Sequence, residues 1–365
     1  VGLTYDFNED LVANVSFKKS YNDYNSNSKV GWGGLEVEDY TEWTSNDDRE
    51  ELFGRVSYSK DFEDFDLAAS AGFEVTKIRY NYMYGSAVGG LTTPGYYSLD
   101  TSVDRPSLSS TLGEQEQQGY FTTASLGYRD FAYLEGSFRQ DFSSTADPAD
   151  NSVTTFGVSG SFIASKFIEN KDFISFAKFR GGYTEAPYFP GRYLLSQTYS
   201  SETAYGSVGT STVPDAGVNP NLKGGTRQET EVGAEIKFMN NRFGFDLTYF
   251  SRKDNELPTY VTVPGSTGIT GFYSNQGKES FSGIELSLNA TPFKTDNFTW
   301  DVNFNFATLK RTVDYIADGV DTNVLDSWGP SLEKRVGEEW GALYGNAYRR
   351  DENGNKVLSA QGYYE

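Results

Sequence analysis

The side chains with chemical potential in this 365-residue chain are almost all carboxylates: 51 Asp and Glu stand against 31 Lys and Arg, for a net charge of −20, with no His and no Cys. Paired carboxylates could serve glycoside hydrolysis, one as acid and the other as base or nucleophile. The adjacent pairs Asp47-Asp48 and Glu338-Glu339 come nearest to that pattern. Both fall in expected loops with no apolar pocket to raise one pKa, so they read as solvated surface. Asp351, Asn353 and Asn355 are spaced like calcium-loop ligands, yet Lys356 stands where the turn glycine belongs. Asn353-Gly354 reads instead as a hairpin turn. Gly277-Lys278 has no glycine five residues earlier and is no phosphate-binding loop. Without imidazole or thiol there is no Ser-His-Asp triad, no Cys nucleophile, no disulfide and no imidazole- or thiolate-held metal. No catalytic residue, metal site or cofactor is expected, and the chain is not expected to be an enzyme.

Composition narrows the class further. Aromatic residues make up 16% of the chain (27 Phe, 26 Tyr, 5 Trp), enough apolar surface to offset chain entropy, so the chain should fold. The acidic balance, with no basic stripe to release counterions, argues against nucleic acid. No apolar run approaches the roughly 18 residues of a membrane-spanning helix, whereas a transmembrane β-strand needs only about 9 to 11. Val1, Leu3, Tyr5 and Phe7 open directly on an alternating pattern with no basic and apolar leader before it, so upstream sequence is expected to lie outside this chain.

Period-two alternation dominates. Phe298, Trp300, Val302, Phe304 and Phe306 share one face, with Thr299, Asp301, Asn303 and Asn305 on the other. Phe65 to Val75 and Val232 to Phe238 read the same way. About twelve strands are expected, at 1–7, 11–19, 50–59, 65–78, 119–128, 131–142, 152–164, 173–183, 227–239, 242–252, 280–291 and 298–313. Short links alternate with long ones at 20–49, 79–118, 143–151, 184–226 and 253–279. Short turns at one end and long loops at the other are the rhythm of an all-β, transmembrane antiparallel β-barrel of the outer membrane. A soluble β-sandwich would leave that rhythm unexplained.

The faces support the same reading. Aromatics flank most short links, such as Tyr128 and Phe131 or Phe238 and Phe243, as an interfacial girdle would require. The opposite faces carry Lys18, Arg55, Glu74, Arg139, Glu235, Asp246, Glu285 and Asp301, too charged for a dry core. A basic residue facing lipid near the midplane costs about 2–4 kcal/mol, so the apolar face must be the outer one. The expected loops carry Trp32, Tyr40, Trp43, Tyr82, Tyr84, Tyr96, Tyr97, Tyr188, Tyr193, Tyr199 and Tyr205, which can stack on sugar rings, meet a partner, or pack within their own loops.

From about Gly217 onward the sequence resembles the SusC/RagA-like TonB-dependent outer-membrane transporters of Bacteroidetes-type bacteria. The resemblance rests on Asn219-Pro220-Asn221-Leu222-Lys223 with Glu229, then Asn240-Asn241-Arg242-Phe243 and Ser274-Asn275-Gln276-Gly277-Lys278. It continues through Phe281-Ser282-Gly283-Ile284-Glu285, Asn297 to Asp301, Val336-Gly337-Glu338, Gly341 to Gly345 and Asp351 to Asn355. Two departures stand out: Gly224-Gly225 replaces the Trp-Glu that usually follows Leu-Lys, and Arg252-Lys253-Asp254 lacks the usual Thr. Residues 1–216 share only the strand and loop rhythm.

The resemblance implies that residues 1–365 are part of one barrel domain of about twenty-two strands, with the N-terminal plug and the last strands elsewhere. It implies an importer of oligosaccharides or peptides embedded in outer-membrane lipid. Its implied partners are a SusD-like surface lipoprotein and, through the absent N-terminal part, the TonB complex. The alternative is a SusC-like barrel kept as a structural subunit of an outer-membrane assembly complex, without transport.

Overall fold

The computed structural model describes residues 1–169 and 171–364, with the side chains of 202–204 left aside. The strands are β1 (Gly2–Asp6), β2 (Leu11–Val30), β3 (Asp39–Phe62), β4 (Phe65–Leu91), β5 (Ser102–Tyr128), β6 (Ala132–Ser143), β7 (Ser152–Ile163) and β8 (Ile174–Tyr188). They continue as β9 (Ser200–Tyr205), β10 (Val208–Thr212), β11 (Ala216–Gly217), β12 (Gly225–Phe238), β13 (Phe243–Thr262), β14 (Gly271–Lys294), β15 (Thr299–Ala307), β16 (Lys310–Tyr315), β17 (Thr322–Ser327), β18 (Ser331–Arg335) and β19 (Ala342–Tyr344). Among the described residues the only helical turns are three short 3-10 segments.

The main sheet is an antiparallel meander in the order β1 to β8, then β12, β13 and β14, with β15 and β16 both on the far edge of β14. The expected strand 298–313 is interrupted at Thr308-Leu309, where the Thr308 N–H still reaches the Ile284 carbonyl, and the pairing with β14 keeps the same register on both sides, so β15 and β16 are one strand with a two-residue gap. Tight turns join the ends at one side: Arg129 and Asp130 both take positive φ in the three-residue link between β5 and β6, closed by the Phe131 N–H on the Tyr128 carbonyl, in keeping with the right-handed twist of the strands.

The ladder from Phe62↔Phe65 to Thr41↔Ser86 runs without a register shift, so side-chain parity holds along the whole β3–β4 pair. One row of β4 presents Phe65, Leu67, Ala69, Ala71, Phe73 and Val75, then turns charged at Lys77 and Arg79. About eleven residues at about 3.3 Å rise, tilted near 40°, span about 25 Å, the height of a barrel's lipid-facing band. Along the other strands the outward row is equally apolar. Phe138, Phe156, Trp300 and Phe304 are each about half exposed, at 50%, 52%, 48% and 52%. The arrangement that would have contradicted the expected faces, with Phe298, Trp300 and Val302 packed in a dry centre, is not found.

The strands overrun the expected boundaries at the opposite end. Residues 20–49 and 79–118, expected as loops, are mostly strand: β2 and β3 continue to Val30 and Asp39, β4 to Leu91, and β5 starts at Ser102. Above the lipid band both faces of these hairpins meet water, so the apolar alternation vanishes while the backbone ladder goes on. The stretch Ser20 to Ser28 contains no aliphatic residue at all.

Candidate functional site: the bore-facing wall

The inner row of each strand carries the charged side chains, and the register places all eight anticipated bore residues, Lys18 to Asp301, on that row. Several of them, with other charged groups of the same row, sit in ion pairs within and between strands. The Arg139 Nε on β6 donates to Asp141 at 2.7–2.8 Å, and its guanidinium also reaches Glu74 on β4. Arg180 on β8 holds Asp246 across β12 at 2.6 Å. Asp254 lies between Arg227 at 3.2 Å and Arg252 at 3.1 Å, its side chain only 3% exposed. Glu279, equally buried, accepts from Arg311 at 2.6 Å and Lys334 at 2.8 Å. A buried carboxylate needs such partners, because its desolvation is repaid only by close, hydrogen-bonded cations.

Aromatic rings interleave with these cations. The Arg252 guanidinium lies 3.6 Å from the Phe281 ring centre, Arg311 lies on the other side at 5.2 Å, and Arg311 also covers Trp340 at 4.1 Å. Here the bore wall acquires a small dry core that the sequence does not announce. Val261, Val313, Ile316 and Ala317 are at most 5% exposed, covered by Phe272, Val320 and Trp340. Phe272 comes from β14 itself, and Val320 and Trp340 come from the segment that follows β16. Asn323 on β17 fixes it, donating to the Tyr260 carbonyl and accepting from the Thr262 N–H.

The Asn219-Pro220-Asn221-Leu222-Lys223 motif works as a clasp at the outer end. Leu222 is wholly buried, and its carbonyl accepts the Asp147 N–H at 2.7 Å, tying in the loop between β6 and β7. Asn275 on β14 pairs with the backbone of Lys223 in both directions, at 3.0 and 2.8 Å. Asn219 donates to the Tyr273 carbonyl. The β11–β12 connection is thereby held to β14, and the β6–β7 loop is held to that connection. The Asp351–Asn355 stretch is a hairpin turn as expected: the Asp351 carboxylate accepts N–H groups from Asn353 and Asn355, and these hydrogen bonds hold it below the usual carboxylate range. No group of three metal-capable side chains occurs among the described residues.

The anticipated contact aromatics divide into two sets. Tyr40, Trp43, Tyr82 and Tyr84 are not in loops, a correction to the sequence reading that follows from the strand extensions. Trp43 and Tyr84 are direct cross-strand neighbours on the inward row, and Tyr82 stands on the next rung, stacked on Tyr80 with ring centres 6.3 Å apart. Tyr40 is on the outward row. Tyr188 ends β8, beneath the Arg227 guanidinium.

Trp32, Tyr96, Tyr97, Tyr193 and Tyr199 are in connections, and Tyr205 ends the small hairpin strand β9. Trp32, Tyr199 and Tyr205 are at least three-quarters exposed. Tyr97 lies under the Lys29 ammonium. The loop after β8 turns inward: Arg192 covers the Tyr80 ring, and the Tyr193 hydroxyl accepts the Glu114 N–H at 2.8 Å. Tyr24, Tyr80 and Arg192 therefore join this inner surface. They escape the sequence reading because their segments lack apolar alternation.

Just above the lipid band, the outward row bears a second set of ion pairs. Lys19 meets Asp48 and Glu50, Lys77 meets Glu116, and Arg79 meets Glu114. These exposed pairs mark where hydrocarbon gives way to headgroups, and each adds little to stability.

Comparison with known proteins agrees with the architecture. The sequence family described as TonB dependent receptor-like, beta-barrel, matches residues 1–364. TonB-dependent receptor P3 of Formosa agariphila is 25% identical over 310 residues, covering 80% of this chain and 30% of that protein. TonB-dependent receptor SusC of Bacteroides thetaiotaomicron is 25% identical over 175 residues, covering 45% of this chain and 17% of that protein. A solved structure of the RagAB peptide importer in its closed-closed state superposes with a TM-score of 0.78 at 18% identity, over 99% of this chain and 42% of that one. The chain thus spans less than a third of the length of these curated relatives. The family is one of receptors and transporters rather than enzymes, which sets the hydrolase reading aside. With an apolar outer band, a charged inner row and short turns at one end, the chain belongs to the TonB-dependent receptor-like β-barrel family and forms barrel wall in the outer membrane.

Proposed function

We propose that the full-length protein is a SusC-like importer that moves oligosaccharides or peptides through this barrel, drawing energy from the TonB complex through a plug outside this chain. Residues 1–365 would then be one part of a single barrel domain. A SusD-like surface lipoprotein is the expected partner at the extracellular mouth, where the hairpins stand well clear of the lipid band. The observation that carries the reading is the inner row of charged side chains, which suits a bore better than a sealed core. The match of the RagAB peptide importer in fold and of SusC in sequence is consistent with it.

The test is uptake of labelled oligosaccharides and peptides by cells that carry or lack the full-length gene, each with and without TonB. Cargo entry that needs both genes supports import. Entry unaffected by removal of either gene overturns it.

A further inference from the structure

Resting on the import reading, we propose that the inner face of the extracellular β2–β5 extension is a binding surface for neutral oligosaccharides. Parity places one uninterrupted row of each strand on this face. Four rungs cross it, from Asn22–Asp47–Tyr80–Gly113 to Ser28–Thr41–Ser86–Ser107. On the two middle rungs stand Tyr24, Trp43, Tyr82 and Tyr84, interleaved with Ser26, Ser45, Ser109 and Thr111. Rungs are about 6.7 Å apart along the strands and neighbouring strands about 4.8 Å apart, so ring and hydroxyl positions alternate on the scale of one sugar unit.

The composition of this face selects the chemistry. Flat aromatic rings cover the C–H faces of pyranoses at small entropic cost, and hydroxyl groups both donate and accept, matching a ligand that does the same. Trp43, Tyr82 and Tyr84 are half-buried, held by their neighbours yet open on one side. The surface lies beyond the lipid band: Trp43 is nine residues past Leu52, the last apolar residue on the outward row of β3, or about 30 Å along the strand.

Charge excludes the rival ligands. No Lys or Arg of β2–β5 faces inward on these four rungs. The nearest cations are already engaged, Arg49 with Glu51 at 2.7 Å and Arg192 over Tyr80. The Asp47 rung carries one charge of each sign, Asp47 and the Arg192 laid over Tyr80, and on the two middle rungs β2–β5 place no charged side chain on this face. On those middle rungs the uronates or sulfates of an acidic chain, and the carboxylates of a peptide, would find no counter-charge.

The test uses the purified full-length protein in detergent, with intrinsic tryptophan fluorescence and calorimetry as readouts. Maltoheptaose, xylohexaose and mannohexaose are the neutral probes. A hexagalacturonate and a Gly/Ser/Glu octapeptide are the competitors. At least one neutral probe should bind, the competitors at least about tenfold more weakly, and Trp43→Ala with Tyr84→Ala should weaken the neutral probe by about tenfold or more. Tyr82→Ala provides a second variant, and heat-modifiable gel migration establishes that each variant is folded.

Absence of binding by all three neutral probes overturns the proposal. So does tighter binding of a competitor, or unchanged affinity in folded variants. TonB-dependent uptake of a peptide with no saccharide binding would sink this proposal and leave the import reading standing. Saccharide binding without TonB-dependent uptake would do the reverse.

Discussion

The Phe189 ring stands 2.9 Å from the point where a Cβ on Gly224 would lie, so the ring occupies the space a side chain at 224 would need. Val153 crowds the same point, and at Gly225 the backbone carbonyl of Asn255 lies 2.5 Å from the corresponding position. The Gly224-Gly225 pair, which departs from the Trp-Glu of similar sequences, is thus matched to an aromatic supplied by the loop after β8.

Gly224→Trp alone should therefore overfill this corner and destabilise the barrel by about 1–3 kcal/mol. Pairing it with Phe189→Gly should recover part of the loss. Denaturant titration of the refolded full-length barrel reads both values, and an additive double mutant would refute the exchange of space.

Glu279, like Asp254, is a buried carboxylate of the wall held by two cations. Glu279→Ala leaves Arg311 and Lys334 facing each other without a counter-charge, and about 3 kcal/mol of stability should be lost. Lys334→Met, which leaves Glu279 its Arg311 partner, should cost less. Equal losses from the two, measured by urea unfolding, would contradict the ranking.

Val158 faces outward near mid-height on β7, and its neighbour Ser159 faces the bore. Val158→Arg should cost about 2–4 kcal/mol in a lipid bilayer, whereas Ser159→Arg should stay within about 1 kcal/mol. Comparison of folding efficiency into vesicles separates them. A reversed order would invert the assignment of faces.

At the turn end, Arg129 donates to both Asp64 carboxylate oxygens, at 2.8 and 2.9 Å, and this hydrogen bonding holds the Asp64 carboxyl below its usual range. A depressed folded-state pKa stabilises above the ordinary Asp value and loses that contribution as pH falls through the depressed one. Hydrogen exchange in the 60–66 and 126–132 peptides, corrected for intrinsic rate, should thus quicken below about pH 4 in the parent protein. Arg129→Ala should already exchange faster at neutral pH and show a flatter acid response. Identical profiles for the two proteins would remove the role given to this pair.

Much was legible in the residues themselves. Wherever lipid lies on one side and water on the other, adjacent side chains must differ, so Phe65 to Val75 and Phe298 to Phe306 announced their strands, their faces and the membrane. The side of the chain carrying short turns followed from spacing alone. Above the lipid band that contrast ends: Ser20 to Ser28 meets water on both faces, and only the hydrogen-bonded ladder to residues 41–49 makes it a strand.

Tertiary structure alone decided which distant residues meet. Register brought Trp43 beside Tyr84, and the inward fold of the loop after β8 laid Arg192 on Tyr80. The return of the segment after β16 onto the wall made a dry core from Val261 and Val313. Composition fixes how each residue prefers its surroundings; closing a loop across tens of residues depends on the whole packed assembly, which no local pattern encodes.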